Sequence, residues 1–293
     1  ANNRICGLTN FLNGVIQCQG GAPLIRSNYI AYNVTDSVLM DGVNHGSSGG
    51  IYCDSSDVHI HGNQILGNQS YSCAGIGVYN GSALVESNDI VANTSGGSSG
   101  GVFCWYSCAQ IQNNRIVGNS VNASDGVYFG GGICTESCTN TLIANNLVMS
   151  NYKQYIIPSV GYSAAGIMCD KHSSGSVINN TVVYNKGGAV GLWCGSVEMA
   201  VLNNIIAFNS QGVGGATNMV FTNNCVYGNG TNNFYKLPDL TGTNGNISLD
   251  PMLDGDSQCP GWHLRAGSPC IGTGDASLVS PDWRDLDGDS CIK

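Results

Sequence analysis

Gly-Gly-Val-Phe-Cys at residues 100–104 and Ile-Gln-Asn-Asn-Arg-Ile-Val-Gly-Asn at residues 111–119 form the repeat unit of this chain. The second half recurs as two asparagines five residues apart, with Ile or Val two positions after the first. The first asparagines of these pairs are Asn28, Asn63, Asn88, Asn114, Asn146, Asn180, Asn204 and Asn224. Repeats start 20 to 35 residues apart. Such a repeat, with strand-length apolar segments and no helical spacing, indicates a β-solenoid.

Each repeat contains three short strand candidates, for example Val102–Cys104, Gln110–Gln112 and Arg115–Val117. Gly, Ser and Asn, which favour turns, separate them. Stacked at roughly 4.8 Å per layer, each strand would pair with its copies above and below, and the aliphatic residues would form a continuous core. The recurring asparagines suit a hydrogen-bonded ladder along the stack. The sequence therefore predicts an all-β solenoid of about eight to ten coils, over residues 1–230.

The composition and net charge of the chain limit which classes of binding partner are expected. The 293 residues carry a net charge of −9, only 10% are charged, and the pI is near 4.7. This balance disfavours nucleic acids and anionic membranes as partners. No apolar run has the length of a membrane span, so we expect no membrane insertion. Ala1 is compatible with a mature N-terminus after signal cleavage, and the 14 cysteines favour an oxidising, extracellular location.

The cysteines recur at one position of the repeat, ten to twelve residues before the first asparagine. They are Cys18, Cys53, Cys104, Cys134, Cys169 and Cys194. The pairs Cys104/Cys134 and Cys108/Cys138 share a four-residue offset, which predicts at least one disulfide between adjacent layers. The alternative is a column of buried free thiols.

Strand alternation places a second set of residues on the outer face. If Cys53 and its equivalents point inward, then Tyr52, Phe103, Met168 and Trp193 point outward as an apolar stripe. Either long loops cover this stripe, or it contacts a polysaccharide or another protein. The predicted binding residues are Tyr52, Phe103, Trp105, Tyr106, Tyr128, Tyr155 and Trp193.

The segment after residue 230 is different in character and carries a family resemblance. It contains Asp-Pro-Met-Leu at 250–253, Trp-His-Leu-Arg-Ala-Gly-Ser-Pro-Cys-Ile-Gly-Thr-Gly-Asp at 262–275 and Asp-Leu-Asp-Gly-Asp at 285–289. With the Gly-Gly-Ile-Tyr-Cys and Asn-Asn-x-Ile units, it resembles secreted bacterial right-handed parallel β-helix proteins of the pectate-lyase-like superfamily. The resemblance implies a right-handed coil and a tail, residues 231–293, that closes the helix.

The same resemblance bears on activity. Enzymes of this superfamily cleave acidic polysaccharides, the lyases with Asp-bound calcium and an Arg or Lys base, the hydrolases with clustered Asp, a Gly-His-Gly and an Arg-Ile-Lys element. Neither hydrolase element occurs here, because Asn44-His45-Gly46 lacks the first glycine and no Arg-Ile-Lys sequence is present. The ten Lys and Arg residues are scattered, so few cationic side chains are available to bind a polyanion. Fold therefore does not determine function in this chain.

The turns after the cysteine column hold the best catalytic candidates. Glu136 follows Cys134, and Asp170, Lys171 and His172 follow Cys169. On adjacent layers the two carboxylates would lie roughly 5–8 Å apart, a separation suited to acid/base cleavage of a glycosidic bond. Lys171 or His172 is an alternative base. Solvated turn residues would show the same pattern.

Metal ligands are indicated at two places. Asp285, Asp287 and Asp289 match the opening of a calcium loop, with Asp282 as a further ligand, so calcium is the one cofactor suggested and none is required. His59 and His61 share one strand face but lack a recognisable third ligand. Eight Asn-x-Ser/Thr sequons leave glycosylation undecided.

Three functions are consistent with these features. The favoured one is an extracellular structural or adhesive solenoid that self-associates end to end, because the first coil shows no capping helix and no catalytic set is complete. The alternatives are a polysaccharide lyase or hydrolase acting at Glu136 and Asp170, and a carbohydrate-binding module that uses the aromatic residues.

Overall fold

The computed structural model describes residues 1–11, 13–35, 39–40, 43–44, 48–122, 130–154, 163–255 and 262–289. Within these ranges the chain winds as a parallel β-solenoid, and each coil contributes one strand to each of up to four parallel sheets. Two sheets have nine strands, one has eight and one has seven. This confirms the predicted fold class and number of coils.

We number the sheets in the order in which a coil such as 51–70 visits them. Sheet 1 contains Ile16–Gln19, Ile51–Asp54, Ile76–Tyr79, Val102–Trp105, Ile133–Glu136, Ala164–Cys169, Val190–Cys194, Val213–Gly215 and Phe234–Tyr235. Sheet 2 contains Leu24–Arg26, Asp57–His61, Ser82–Glu86, Cys108–Gln112, Thr141–Ala144, Gly175–Ile178, Met199–Leu202 and Val220–Thr222.

Sheet 3 contains Arg4–Cys6, Tyr29–Ala31, Gln64–Leu66, Asp89–Val91, Arg115–Val117, Leu147–Met149, Thr181–Val183, Ile205–Ala207 and Cys225–Tyr227. Sheet 4 contains Thr9–Phe11, Val34–Thr35, Gln69–Ser70, Thr94–Ser95, Ser120–Val121, Tyr152–Lys153 and Lys186–Gly187. A small antiparallel hairpin joins Leu39–Met40 to Val43–Asn44, and a 3₁₀ turn spans Ala276–Leu278. Among the described residues, no helix has the length and apolar character needed to cross a bilayer.

The aliphatic residues of the repeat stack in register through sheet 3. Ile65 pairs with Ile90, Ile90 with Ile116, and Ile116 with Val148, and the pairing continues to Val226. Ile65, Ile90 and Ile116 are fully buried in the central core cluster. The repeat in the sequence is therefore a column in space, as predicted.

Two asparagine ladders run along the two ends of sheet 3. At each rung the side-chain oxygen accepts hydrogen bonds from the backbone N–H and the amide of the asparagine one coil earlier, as Asn114 does from Asn88 at 2.9 and 3.0 Å. The amide also donates to a core carbonyl, as Asn119 Nδ2 does to Ile90 O at 2.8 Å. Five sequon asparagines lie buried in these ladders, so a glycan does not fit there in the folded state: Asn33, Asn68, Asn93, Asn229 and Asn246.

The residue that precedes a ladder asparagine turns the chain. Asn113, Asn145 and Ser150 have φ of +54°, +56° and +53°, in the left-handed region. Asn113 and Asn145 can adopt this conformation at low cost, whereas the ladder asparagines themselves supply the hydrogen bonds. Turn formation and ladder formation are thus divided between adjacent positions.

The described cysteines are free thiols, and the predicted disulfide pairs lie out of register. Cys104 pairs with Thr135, while Cys134 pairs with Phe103 and points away from the core. Cys138 Sγ lies 3.4 Å from Ser107 Oγ rather than opposite Cys108. The offset between these strands is 31 residues, from Val102 to Ile133, whereas the cysteine spacing implied 30. The prediction that Cys134 belongs to the inward column is therefore wrong.

The apolar stripe on sheet 1 faces outward as predicted but is covered. Phe103, Met168 and Trp193 are 5%, 0% and 3% exposed. Cys73 and Ala164 pack in one buried cluster with these three side chains, and bridges join Ser48, Cys73, Ser99, Gly130 and Ala164 from coil to coil. These three side chains of the stripe are therefore buried and do not form an exposed contact surface.

The C-terminal residues pack against the outer face of sheet 3. Leu253 and Trp262 join a cluster with Leu147, Val183 and Tyr184. Asn203 exchanges two hydrogen bonds of 3.0 Å with the backbone of Asp275. Stacking also continues beyond residue 230, because Phe234–Tyr235 extends sheet 1 and Asn246 extends a ladder.

Candidate functional site

The ends of the sheet 1 strands bring aromatic and acidic residues into one column. Tyr79 pairs with Trp105, and Trp105 pairs with Glu136 on the next coil. Trp105 is 37% exposed and Tyr106 is 59% exposed, with ring centroids 4.9 Å apart at 70°. We call these two side chains the aromatic patch. A flat apolar surface beside a carboxylate suits a sugar, which offers an apolar ring face and hydroxyl groups.

A missing side chain explains why Tyr79 does not belong to the patch. Gly77 stands where neighbouring coils carry Tyr52 and Phe103, and the Tyr79 ring folds into the space above it. Tyr79 stacks on Tyr52 at 5.0 Å and packs edge-on against Phe103 at 5.7 Å. This packing buries Tyr79 to 5% exposure and supports the patch from below.

Glu136 lies half-buried beside Trp105. Burial raises the pKa of the Glu136 carboxyl, the nearby Asp170 carboxylate raises it further, and His172 partly offsets the rise. A carboxyl with a raised pKa beside an exposed aromatic side chain is a candidate general acid. Glu136, Asp170 and His172 therefore lie near one another in the structure.

Asp170 is engaged in holding its own turn. Its Oδ1 accepts from Ser137 N at 3.0 Å, His172 N at 3.1 Å and Ser173 Oγ at 2.8 Å, and its Oδ2 lies 3.1 Å from His172 Nδ1. The side chain is 5% exposed, and Lys171 lies outside in solvent. Every oxygen of this carboxylate thus has a partner, which leaves Glu136 and His172 as the groups facing solvent. The proposed catalytic pairing stays a prediction.

The remaining predicted binding residues separate into three groups. Phe103 and Trp193 are buried, so the expectation that they present a surface is wrong, because both pack in a cluster with Cys73, Ala164 and Met168. Tyr52 is half-buried and stacks on Tyr79. Tyr128 and Tyr155 lie outside the described residues.

A cleft between the coils and the C-terminal residues is a site that sequence reasoning missed. It has a volume of about 730 Å³ and is lined by the turn asparagines Asn145, Asn179 and Asn203 and by Trp262. Asn145 Nδ2 and Trp262 Nε1 are buried there without a hydrogen-bond partner. The available signals were the Trp-His-Leu segment and the asparagine that precedes a ladder asparagine in five successive coils, at Asn113, Asn145, Asn179, Asn203 and Asn223.

In the acidic segment 285–289, the carboxylates of Asp285 and Asp287 contact groups of the protein. Asp285 Oδ1 accepts from Asp287 N at 3.1 Å and Asp289 N at 2.8 Å, and Asp287 Oδ2 lies 2.6 Å from His263 Nε2. Within the described part of the chain these three carboxylates do not converge as a group of metal ligands. Calcium binding there stays an untested prediction.

The comparison with protein families decides what kind of molecule this is. Residues 49–248 match the family model described as the right-handed beta helix region. The chain belongs to the right-handed β-helix family. This assignment supplies the handedness that the repeat alone did not reveal. Searches of curated proteins and of solved structures returned no match for this β-helix protein.

Proposed function

We propose that this right-handed β-helix protein binds a polysaccharide at the aromatic patch and acts as an adhesive solenoid through that contact. The observation that carries the proposal is the exposure of Trp105 and Tyr106, with Trp105 in register with Glu136. A fixed β-scaffold presents the two rings without cost in backbone ordering, which favours binding.

Charge indicates the class of glycan. The protein has a net charge of −9, and Glu136 and Asp170 add negative charge next to the patch. A polyuronate would be repelled at this place, whereas a neutral polysaccharide would meet apolar rings and a hydrogen-bonding carboxyl. We therefore expect neutral glycans to bind more tightly than acidic ones.

The test is affinity electrophoresis of the full chain in gels that contain xylan, mixed-linkage β-glucan, galactomannan or polygalacturonate. We expect retardation by at least one neutral polysaccharide. Trp105→Ala should weaken this binding about tenfold, equivalent to about 1.4 kcal/mol, because it removes the stacking surface. Tyr71→Ala, at another exposed aromatic residue, is the matched control and should leave binding unchanged.

The Trp262→Ala substitution tests whether the glycan binds at the aromatic patch or in the cleft beside the C-terminal residues. If binding is lost in Trp262→Ala and kept in Trp105→Ala, the glycan site is the cleft and the proposal for the patch is refuted. Binding to none of the four polysaccharides, with folding verified by circular dichroism, would also count against it.

A second candidate function is polysaccharide cleavage, which the raised pKa of Glu136 favours. Glu136 would protonate the leaving glycosidic oxygen of a chain held on Trp105, while a water molecule that gives its proton to His172 attacks the anomeric carbon. In this case the wild-type protein releases reducing ends from the bound polysaccharide, and Glu136→Gln retains binding but loses release. Binding without release of reducing ends or unsaturated products would exclude this candidate.

A further inference from the structure

The outer face of sheet 2 carries a cluster of metal-ligating side chains away from the aromatic patch. His59 and His61 alternate on the strand Asp57–His61, so both rings lie on one face. Glu86 ends the neighbouring strand Ser82–Glu86 and pairs directly with His61. Sequence reasoning found the two histidines but had no third ligand, which comes from the next coil, 25 residues later.

The three donor atoms are close enough to share one cation. Glu86 Oε1 lies 2.8 Å from His59 Nε2 and 3.4 Å from His61 Nδ1, and the three ligand atoms lie within 4.8 Å of one another. Ligands held about 2.0–2.2 Å from a tetrahedral zinc ion stand roughly 3.3–3.6 Å apart. Small side-chain rotations would therefore be enough to bind an ion, with no change in the coil register.

A hydrogen-bonded pair explains only part of this cluster. The contact of His59 with Glu86 is an ordinary ion pair or hydrogen bond. His61 Nδ1, however, is a buried atom without a hydrogen-bond partner, although it lies beside the same carboxylate oxygen. A cation between the three groups would satisfy this nitrogen.

We propose that His59, His61 and Glu86 form a binding site for one divalent transition-metal cation of the zinc type. Two imidazoles and one carboxylate favour Zn²⁺, Ni²⁺ or Co²⁺ over Ca²⁺ and Mg²⁺, which prefer oxygen ligands. The side chains are 40%, 45% and 29% exposed, so water completes the coordination shell. In sheet 2, Arg26 on the preceding coil is in register with His61, and Gln112 on the following coil is in register with Glu86. The bound ion links two adjacent coils across sheet 2.

Cobalt titration of the full chain tests the site, because its visible spectrum reports the ligands. We expect one equivalent of Co²⁺ to bind, with a d–d spectrum that lacks the charge-transfer band of thiolate ligation. This absence distinguishes the site from the chain's 14 cysteines. Zn²⁺ should displace Co²⁺ and raise the melting temperature, because it binds the folded state.

Single substitutions distinguish this site from general histidine binding. His59→Gln, His61→Gln and Glu86→Gln should each weaken Co²⁺ binding at least tenfold, whereas His172→Gln, in a turn four coils further along, should not change it. The replaced side chains are partly exposed and lie outside the core, so circular dichroism should show that the variants fold. The proposal is overturned if the wild type shows no saturable binding below about 1 mM, if His61→Gln binds as the wild type does, or if a thiolate band appears.

Discussion

At the scale of single residues, each ladder asparagine stabilises the fold through several buried hydrogen bonds. Asn119 accepts two hydrogen bonds from Asn93, of 3.0 and 2.9 Å, and donates to Ile90 O and Asn151 Oδ1. All four contacts are buried, so the loss of this one side chain leaves several polar groups in the core without partners.

We therefore predict that Asn119→Ala lowers the free energy of unfolding by about 2–4 kcal/mol. Asn122→Ala, three residues later at an exposed position, should change it by less than about 0.5 kcal/mol. Urea unfolding followed by circular dichroism measures both. Equal effects of the two substitutions would contradict the role assigned to the ladder.

Glu136 gives the stability a pH dependence. Because folding raises the pKa of Glu136, the folded protein binds this proton more tightly than the unfolded chain does. This contribution to stability is present below the unfolded pKa of about 4.3 and is lost as the pH rises through the folded pKa.

Glu136→Gln should accordingly increase the free energy of unfolding at pH 7 relative to the wild type, with a smaller difference at pH 4. The gain should stay under about 1 kcal/mol, because the carboxylate is partly solvated. Glu198→Gln, at an exposed carboxylate, controls for the loss of one charge. A wild type that gains stability relative to Glu136→Gln between pH 4 and pH 7 would refute the sign.

At the scale of elements, the second glycine of each Gly-Gly pair sets how closely the coils approach. A Cβ on Gly101 would overlap the carbonyl oxygen of Gly132 on the next coil and would lie 3.1 Å from Ile116 Cγ2. Both neighbours belong to a stacked sheet and a packed core, so neither can move without disturbing the register.

Gly101→Ala should destabilise the fold by about 2 kcal/mol or more, as overpacking does in a dense core. Gly118→Asn is the matched control. Gly118 has φ of +65° and no heavy atom near its missing Cβ, and asparagine tolerates this conformation. The control should cost under about 1 kcal/mol in thermal or urea unfolding. A Gly101→Ala protein as stable as the control would show that the coils can separate at this point.

Comparison of the sheets shows which strands could be predicted from the sequence and which could not. Sheet 3 was predictable, because Ile90 and Ile116 hold the same place between two asparagines. Sheet 4 was not, because strands such as Gln69–Ser70 are two residues long and polar. Likewise Cys134 looked equivalent to Cys104 until the 31-residue register moved it to the outer face. The partnership of His61 with Glu86 depends on register in the same way, and no local motif contains it.

At the scale of the whole molecule, the first coil presents four strands that have a described neighbour on one side only. Arg4–Cys6, Thr9–Phe11, Ile16–Gln19 and Leu24–Arg26 each stand at the end of a sheet. Such strands offer unpaired backbone groups to another chain. The unpaired strands are compatible with the end-to-end association predicted from the sequence, which stays a prediction.

Size-exclusion chromatography with light scattering and negative-stain microscopy would test this prediction. We expect particles longer than one chain, whose share rises with protein concentration. Replacing the exposed Leu24 by Lys should reduce association, because edge charges oppose strand pairing. A monomer at all concentrations would exclude the filament and leave the glycan proposal unaffected.

The alignment of Asp89 with Arg115 and of Ile90 with Ile116 has a consequence for how such a chain changes length. Excision of the segment from Ile90 to Arg115 would join Asp89 to Ile116 and keep the strand register, with Asp89 placed opposite Leu147, the present partner of Arg115. The chain can thus shorten or lengthen by whole turns with the strand register kept, while the loss of one residue within a strand would move the residues after it to the opposite face of the sheet. Duplication and deletion of entire turns is therefore the natural mode of variation for this molecule, and its length is the property most open to evolution.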